Sequence, residues 1–451
     1  MRVLCNAVVI PIKDRCQELS EKIEESLRLK IHEVSRKMAE GILKEPKLEN
    51  ITKVIHEQVL SLGSDVASVT LNDIAAKEEV TQNIKSKGIR NRTLNTILGP
   101  VFYEREAFYD KENKSLIFPG DEILSINGGQ LQSDVLSKMV QLGIEVPFAE
   151  AAELCESLMG VSVSEGSVYS AVIKAGQSAS YEDVVPSKKD IHKKLDDIKV
   201  LNETEKIHIV LGIDGAMEPL RPQDSHRNGK RGECFWKECK GFRVFAVVGD
   251  KKIEQLASWH QICNDEELGK QLKLIAESLK DRDEPFVVAA DGAKWIWNQV
   301  SKIFKSHIEV LDWYHVVEHL SKFSEIHFGK DKVKKNCWLE NSKNRLMNDD
   351  VAGIIHGLER MTYKSENEKD ASINLQNYLI SNQGRMNYGT LKSQGLTIGS
   401  GGMESANKSV SHIRLKRNGC WWKPSHANEI LRLRCAKANG TLKKLLSRCW
   451  N

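Results

Sequence analysis

No stretch of this 451-residue chain comes near the ~18 consecutive apolar residues that a membrane helix needs. The apolar opening from Val3 to Ile12 is short, holds Asn6 and Pro11, and has only Arg2 as a basic flank, so it does not read as a signal peptide. The ten cysteines form no C-x-x-C pair, and the closest two are Cys234 and Cys239. Dispersed thiols fit a reducing compartment rather than a secreted scaffold, so the expectation is a soluble cytoplasmic protein with no membrane partner. Tryptophan is missing from the first half: all nine lie at Trp236 or later, so the two halves are built differently. No internal repeat stands out. What is present, 40% apolar and 28% charged residues, supports packed cores and excludes a collagenous or wholly disordered chain. At roughly 150 residues per domain the length allows about three domains.

Charge is unevenly spread. From Ser405 to Asn451 eleven Lys and Arg face a single acid, Glu429, a net of +10, while the preceding 404 residues carry −6. A tail so polarised suggests a polyanionic partner, with nucleic acid leading; a solvated basic helix is the plainer reading.

Along the chain, residues 15–87 are polar and helix-favouring and predict two or three helices. Between Arg92 and Asp121 alternating β-branched and aromatic residues, broken at Gly99-Pro100 and at Asp110–Ser115, predict a few short strands. Pro147–Gly176 reads as a helix to Met159, a turn at Gly160, and a second helix capped by Ser164 and carrying Val168, Tyr169 and Val172. That is the outline of a helix-turn-helix DNA reader, although any two packed helices can write it. Tyr181–Asn202, charged and containing Pro186, reads as a linker.

From Ile207 the texture is α/β. IHIVLGID, PFVVAAD and IEVLD are apolar runs that stop at Asp214, Asp291 and Asp312. Phe235–Cys239 and Phe242–Val248 read as two strands around Lys240-Gly241, and a helix follows from about Asp265 to Lys280. Ser321–Leu391 is mostly helical, and IGSGGMES opens a final loop and helix. In open α/β sheets reacting groups collect at the carboxyl ends of strands. Neighbouring strands would bring these carboxylates together, and clustered carboxylates imply a cation; oxygen ligands without sulfur favour Mg²⁺ or Mn²⁺. Glycines after Asp214 and Asp291 would leave room for a substrate backbone. Glu404, in the first turn of the last helix, is favoured there by the helix dipole and could join the cluster or merely cap.

These segments resemble a known family. IDGAMEPLR at Ile213–Arg221, ADGAKWIWNQV at Ala290–Val300, LDWYHVVEHL at Leu311–Leu320 and IGSGGMESANKSVSHIRLKRNGCWW at Ile398–Trp422 are similar to DDE-type insertion-sequence transposases of the ISKra and ISLre groups. The resemblance extends weakly upstream to about Arg90. It implies an α/β RNase H-like catalytic domain over residues 203–320 and 396–451, interrupted by an all-helical insertion over 321–395. A helical region (1–90) and a small β plus helix-turn-helix-like DNA-binding region (91–180) would precede it. Carried over position by position, the catalytic and metal-holding acids are Asp214, Asp291 and Glu404, with Asp312 as an accessory acid.

The implied cofactor is Mg²⁺ or Mn²⁺, two ions. No zinc is expected, because the cysteine pair that some relatives carry is missing from Phe108–Pro119. The implied partners are double-stranded DNA, both element ends and target, and further copies of the chain assembled on it, near the nucleoid of a bacterial-type cell. Lys408, His412, Arg414, Lys416 and Arg417 would hold phosphates, and Trp421 and Trp422 would either stack on an unpaired base or pack in the core. Two other readings remain: a transposase-derived DNA-binding protein without cutting activity, and a zinc peptidase through His315, Glu318 and His319, which match H-x-x-E-H.

Overall fold

The computed structural model describes residues 12–76, 85–126, 128–224, 234–249 and 252–450, excluding the side chains of residues 12–14, 85, 252, 401, 402 and 404. The chain divides into two compact units, one of residues 1–175 with 446–451 and one of residues 176–445. The regions 1–90 and 91–180, read separately from sequence, thus fall almost wholly in one unit.

The first unit opens with two long helices, α1 (Ile12–Lys44) and α2 (Leu48–Ala76). Asn50 closes the turn between them by donating to the Gly41 and Glu45 carbonyls at 2.9 and 2.8 Å. An antiparallel sheet follows, β1 (Lys85–Thr96), β2 (Gly99–Asp110) and β3 (Ser115–Ile117), in that order. β1 begins earlier than the helix-favouring texture suggested, because Lys85 and Ser86 pair with Tyr109 and Phe108 on β2. Leu94, Val101 and Tyr103 bury themselves against Ala67, Leu71 and Ala75 of α2. After α3 (Pro119–Ile123) come α4 (Ser133–Gly143), α5 (Phe148–Met159) and α6 (Glu165–Ser178). α5 ends at Gly160 with φ of 65°, a left-handed conformation that glycine adopts without steric cost. Ser164 caps α6, accepting from the Ser167 N–H at 3.1 Å. Val168 and Val172 are buried facing Gly143, where a Cβ would come within 2.9 Å of both. The predicted helix-turn-helix outline is present, and its apolar stripe is spent on internal packing.

In the second unit the expected linker is helical: α7 (Tyr181–Val184) and α8 (Lys188–Leu201). Ile191, Leu195 and Ile198 supply a buried stripe at helical spacing inside the charged stretch, and Ser187 caps it. The sheet contains β4 (Ile207–Leu220), β5 (Phe235–Val248), β6 (Lys252–Ile262), β7 (Phe286–Ala290) and β8 (Ile308–Leu311), with α9 (Asp265–Leu279) and α10 (Lys294–Ile303) between. Its order is β6-β5-β4-β7-β8; β5 and β6 are antiparallel to their neighbours, and β7 and β8 run parallel to β4. The two strands expected around Lys240-Gly241 are one, because β5 pairs with β4 without interruption from Phe235 to Val248. β6 went unread from sequence.

Helices then dominate: α11 (Trp313–Phe328), α12 (Lys332–Met347), α13 (Val351–Glu359), α14 (Glu366–Asn382) and α15 (Tyr388–Ser393). The chain returns to the sheet through α16 (Gly401–Ala406), a π-helical turn (Asn407–His412) and α17 (Ile413–Leu415), and continues as α18 (Pro424–Ala438) and α19 (Leu442–Cys449). α18 covers the β6 edge, where Asn428 pairs with both the N–H and the carbonyl of Ile262 at 2.7 and 3.2 Å. Among the described residues no helix is long and apolar enough to cross a membrane.

Candidate catalytic site

Strand register sets the geometry. Ile213 pairs with Ala290, and Ala290 with Leu311, across the three parallel strands. The next residue in each case is an acid, Asp291 and Asp312 just past the ends of β7 and β8 and Asp214 within β4, so the three acids form one row. β4 runs on to Leu220 instead of stopping at Asp214 as the apolar run suggested. Each also serves the local backbone. Asp214 Oδ1 accepts from the Gly215 N–H at 2.7 Å, and Asp291 Oδ1 from the Ala293 N–H at 2.9 Å. Asp312 Oδ1 caps α11 through the Tyr314 and His315 N–H groups at 2.7 and 3.1 Å, while its Oδ2 accepts from the Ser400 N–H. Asp312 is therefore a buried clamp between α11 and the 397–400 loop, with both oxygens engaged.

The clamp places α16. Trp313 N–H donates to the Ile398 carbonyl at 3.1 Å, and Gly399 lies against the Tyr314 ring. Met403 then sits over Gly212, where a Cβ would come within 2.8 Å of the Met403 Cβ. One turn on, Asn407 Nδ2 donates to Asp214 Oδ2 at 2.6 Å. The backbone of Glu404 lies on the helix between these two anchors; its side chain lies outside the described residues.

Burial pushes the Asp214 carboxyl up to about 6, and the charges of Asp291 and Asp312 add to that, against the Gly215 hydrogen bond and His315. Burial and the same two acids also raise the phenol of Tyr378 on α14. Asp214 and Asp291 are both half-buried in this corner, where Asp291 and Asp312 add negative charge beside Asp214. Among the described residues, no three His, Cys, Asp or Glu side chains form a ready-made metal cage. The glycines beside the acids do not leave open space. A Cβ at Gly215 would lie 2.0 Å from Glu238 Oε1, and one at Gly292 would lie 2.5 Å from the Tyr378 ring. Both accommodate protein side chains.

A family model described as an uncharacterised protein family, UPF0236, matches residues 43–447. The chain belongs to the UPF0236 family. Two UPF0236 proteins of Caldanaerobacter subterraneus subsp. tengcongensis are each 24% identical to it. One aligns over 401 residues (86% of this chain, 76% of the relative) and the other over 424 (91% and 73%). Among solved structures, the Drosophila P element transposase strand transfer complex aligns with 70% of this chain and 80% of its own, at 10% identity and a TM-score of 0.25.

The basic tail of this UPF0236 chain divides into two sets. Lys408 is exposed, and Lys416 and Arg417 are half-buried. His412 Nε2 lies 2.9 Å from Lys416 Nζ. Arg414, expected at a phosphate, is instead 1% exposed, with its guanidinium 4.9 Å from the centre of the Trp422 ring. Trp422 is buried too, its carbonyl accepting from the Arg221 N–H at 2.9 Å, so neither residue is available to DNA. Trp421 remains 37% exposed, edge-on to Trp236 at 6.1 Å.

In the H-x-x-E-H segment, the His319 ring stacks on Tyr378 at 4.0 Å and Glu318 pairs with Lys322 at 2.7 Å, so two of the three peptidase candidates are otherwise engaged. Sequence reasoning missed Asn407, His260 and Glu218. Asn407 lay in a segment already singled out, one turn after Glu404, and Glu218 falls on the same face of β4 as Asp214 by strand alternation. Nothing in the sequence pointed to His260.

Proposed function

We propose that this UPF0236 chain is a DDE-type transposase that binds the ends of an insertion sequence and cuts and joins DNA strands. One observation carries the reading: Asp214, midway along β4, and Asp291, just past the end of the adjacent parallel β7, lie level in register, and the helix bearing Glu404 is tied to Asp214 through Asn407. The mixed sheet, with three antiparallel strands followed by two parallel ones and helices 321–395 interposed before α16, supports an RNase H-like core with a helical insertion.

The donor set fits a hard cation, since Asp214 is raised by burial and by its acidic neighbours and gains from a positive charge beside it. Asp214, Asp291 and Glu404 would hold one or two Mg²⁺ or Mn²⁺ ions, which when bound activate the attacking oxygen and stabilise the leaving oxygen of a phosphodiester. Hydrolysis at the element end frees a 3′-hydroxyl, which attacks a target phosphodiester in line, so no Ser or Tyr nucleophile is required. Asp312 keeps the 397–400 loop, and with it α16, against the strand ends. Lys408, His412, Lys416 and Arg417 supply phosphate contacts, and Trp421 with Trp236 offers an aromatic surface to an unpaired base. The α5–α6 pair is a second DNA contact, through the exposed Gly166, Ser170 and Lys174 side of α6. Joining two ends calls for at least two copies of the chain on DNA.

The test is cleavage, with Mg²⁺ or Mn²⁺, of duplexes taken from the DNA flanking the coding sequence and chosen for inverted repeats. Cutting by the wild type that is lost in Asp214→Ala, Asp291→Ala and Glu404→Ala supports the reading. Equal cutting by these variants overturns the site, and binding without any cutting favours a DNA-binding protein that has lost catalysis.

A further inference from the structure

Three side chains from three separate elements form a hydrogen-bonded line across the sheet of the second unit. Asn407 Nδ2 donates to Asp214 Oδ2 at 2.6 Å, and Asn407 Oδ1 lies 3.0 Å from His260 Nε2. Asn407 and His260 are both buried, at 5% and 1% exposure. Burial pushes His260 down to about 4, so its ring is neutral at physiological pH. An Asn oxygen can only accept, so the proton sits on Nε2, leaving Nδ1 to face Ser258 Oγ at 3.3 Å and Cys435 Sγ at 3.8 Å. Turning the Asn407 amide over would set its oxygen against the Asp214 carboxylate and its NH₂ against the imidazole N–H. One orientation satisfies both ends.

The backbone is arranged to permit this line. His260 stands on β6 and Asp214 on β4, and both pair with Gly241 on the intervening β5. A Cβ at 241 would lie 2.4 Å from His260 Cδ2, so only glycine lets the imidazole occupy that space. Asn407 begins the π-helical turn, whose Val410 carbonyl accepts from the buried Arg434 Nε at 2.7 Å; the Arg434 guanidinium also reaches the Ser409 carbonyl.

We propose that Asn407, locked in one amide orientation by His260, is a positioning residue that aims the Asp214 carboxylate for divalent-cation binding. The proposal rests on the reading of Asp214 as a metal-holding acid. Neither Asn407 nor His260 touches the cation or the DNA; both act through Asp214. Groups that orient a metal-holding side chain are typically worth roughly 10–100-fold in metal affinity.

The experiment is a Mn²⁺ titration of the full chain without DNA, followed by the paramagnetic resonance signal of free Mn²⁺, with thermal unfolding as the folding control. Asn407→Ala and His260→Leu should weaken Mn²⁺ binding roughly 10–100-fold. His260→Gln keeps a donor toward Asn407 and should recover most of that loss, which a purely structural role for the ring would not produce. Should His260→Leu fail to fold, Asn407→Leu decides: it keeps the size, removes both the donor to Asp214 and the acceptor for His260 without adding charge, and should likewise weaken binding. Wild-type affinity in Asn407→Ala and Asn407→Leu, with binding lost in Asp214→Asn, overturns the positioning role and leaves the metal reading intact. Wild-type affinity in Asp214→Asn overturns both.

Discussion

Glu218 Oε1 and His412 Nε2 face each other 3.8 Å apart, the carboxyl wholly buried on β4 and the imidazole half-buried on the π-helical turn. Burial pushes Glu218 up to about 7 against the pull of Ser411 and Lys416, and pushes His412 down with help from Lys416 and Lys408. A carboxyl raised in the fold binds more protons folded than unfolded. Its contribution to stability therefore falls as pH rises from its ordinary value of 4.5 through about 7, then levels off. Glu218→Gln should flatten that decline and stabilise the chain at pH 8 by on the order of 3 kcal/mol. Urea unfolding at pH 5, 6 and 8 measures it, and an unchanged pH slope would refute the account.

Asp214 carries the same sign, raised first by burial, as Glu218 is, and further by its acidic neighbours Asp291 and Asp312. With its carboxyl raised to about 6, cation binding must displace a proton below that pH. Mn²⁺ affinity should drop on passing from pH 7.5 to pH 5, with up to one proton released at Asp214 per binding event at the lower pH. Calorimetry in buffers of different ionisation enthalpy counts the protons. Equal affinity across that range would remove Asp214 from the site.

Arg414 and its neighbours separate packing from charge. Arg414→Ala empties a buried position against Trp422 and should cost on the order of 3 kcal/mol of stability, without changing the salt dependence of DNA binding. Lys416→Ala with Arg417→Ala should leave stability nearly intact and reduce the slope of log K against log salt by roughly 2. Binding measured by fluorescence anisotropy at several salt concentrations distinguishes the two, and a reversed pattern would contradict the burial described here.

Gly212 tests the seating of α16. Its missing Cβ is what lets Met403 rest on β4, at 2.8 Å from where that atom would stand. Gly212→Ala should push the helix outward, at about 1–3 kcal/mol in stability, and lower DNA cleavage by more than the loss of folded protein explains. Cleavage that merely tracks the folded fraction would show that the seating has no bearing on activity.

The positions of β4, β7 and β8 were the most legible part of the second unit. β7 and β8 do stop just before their acids, whereas β4 continues past Asp214 to Leu220 because residues 214–220 pair with 235–241 of β5. The apolar runs ending on Asp214, Asp291 and Asp312 reflect a local pattern. The capped helix α6 was legible for the same reason. The helical stripe of Ile191, Leu195 and Ile198 was also local, but it was hidden by surrounding charge and misread as a linker.

Residue order alone determined that three apolar runs each lead to an acid, that a helical stretch separates them from the Gly-rich segment leading to α16, and that positive charge gathers near the end. Which groups meet was decided by folding. Parallel register put Asp214 level with Asp291, the Gly241 gap let a histidine from an unread strand reach Asn407, and burial withdrew Arg414 and Trp422 from the surface. Periodicity and capping act between residues a few positions apart, whereas these pairings join groups as much as 193 positions distant, and only the packed sheet brings such groups within hydrogen-bonding range.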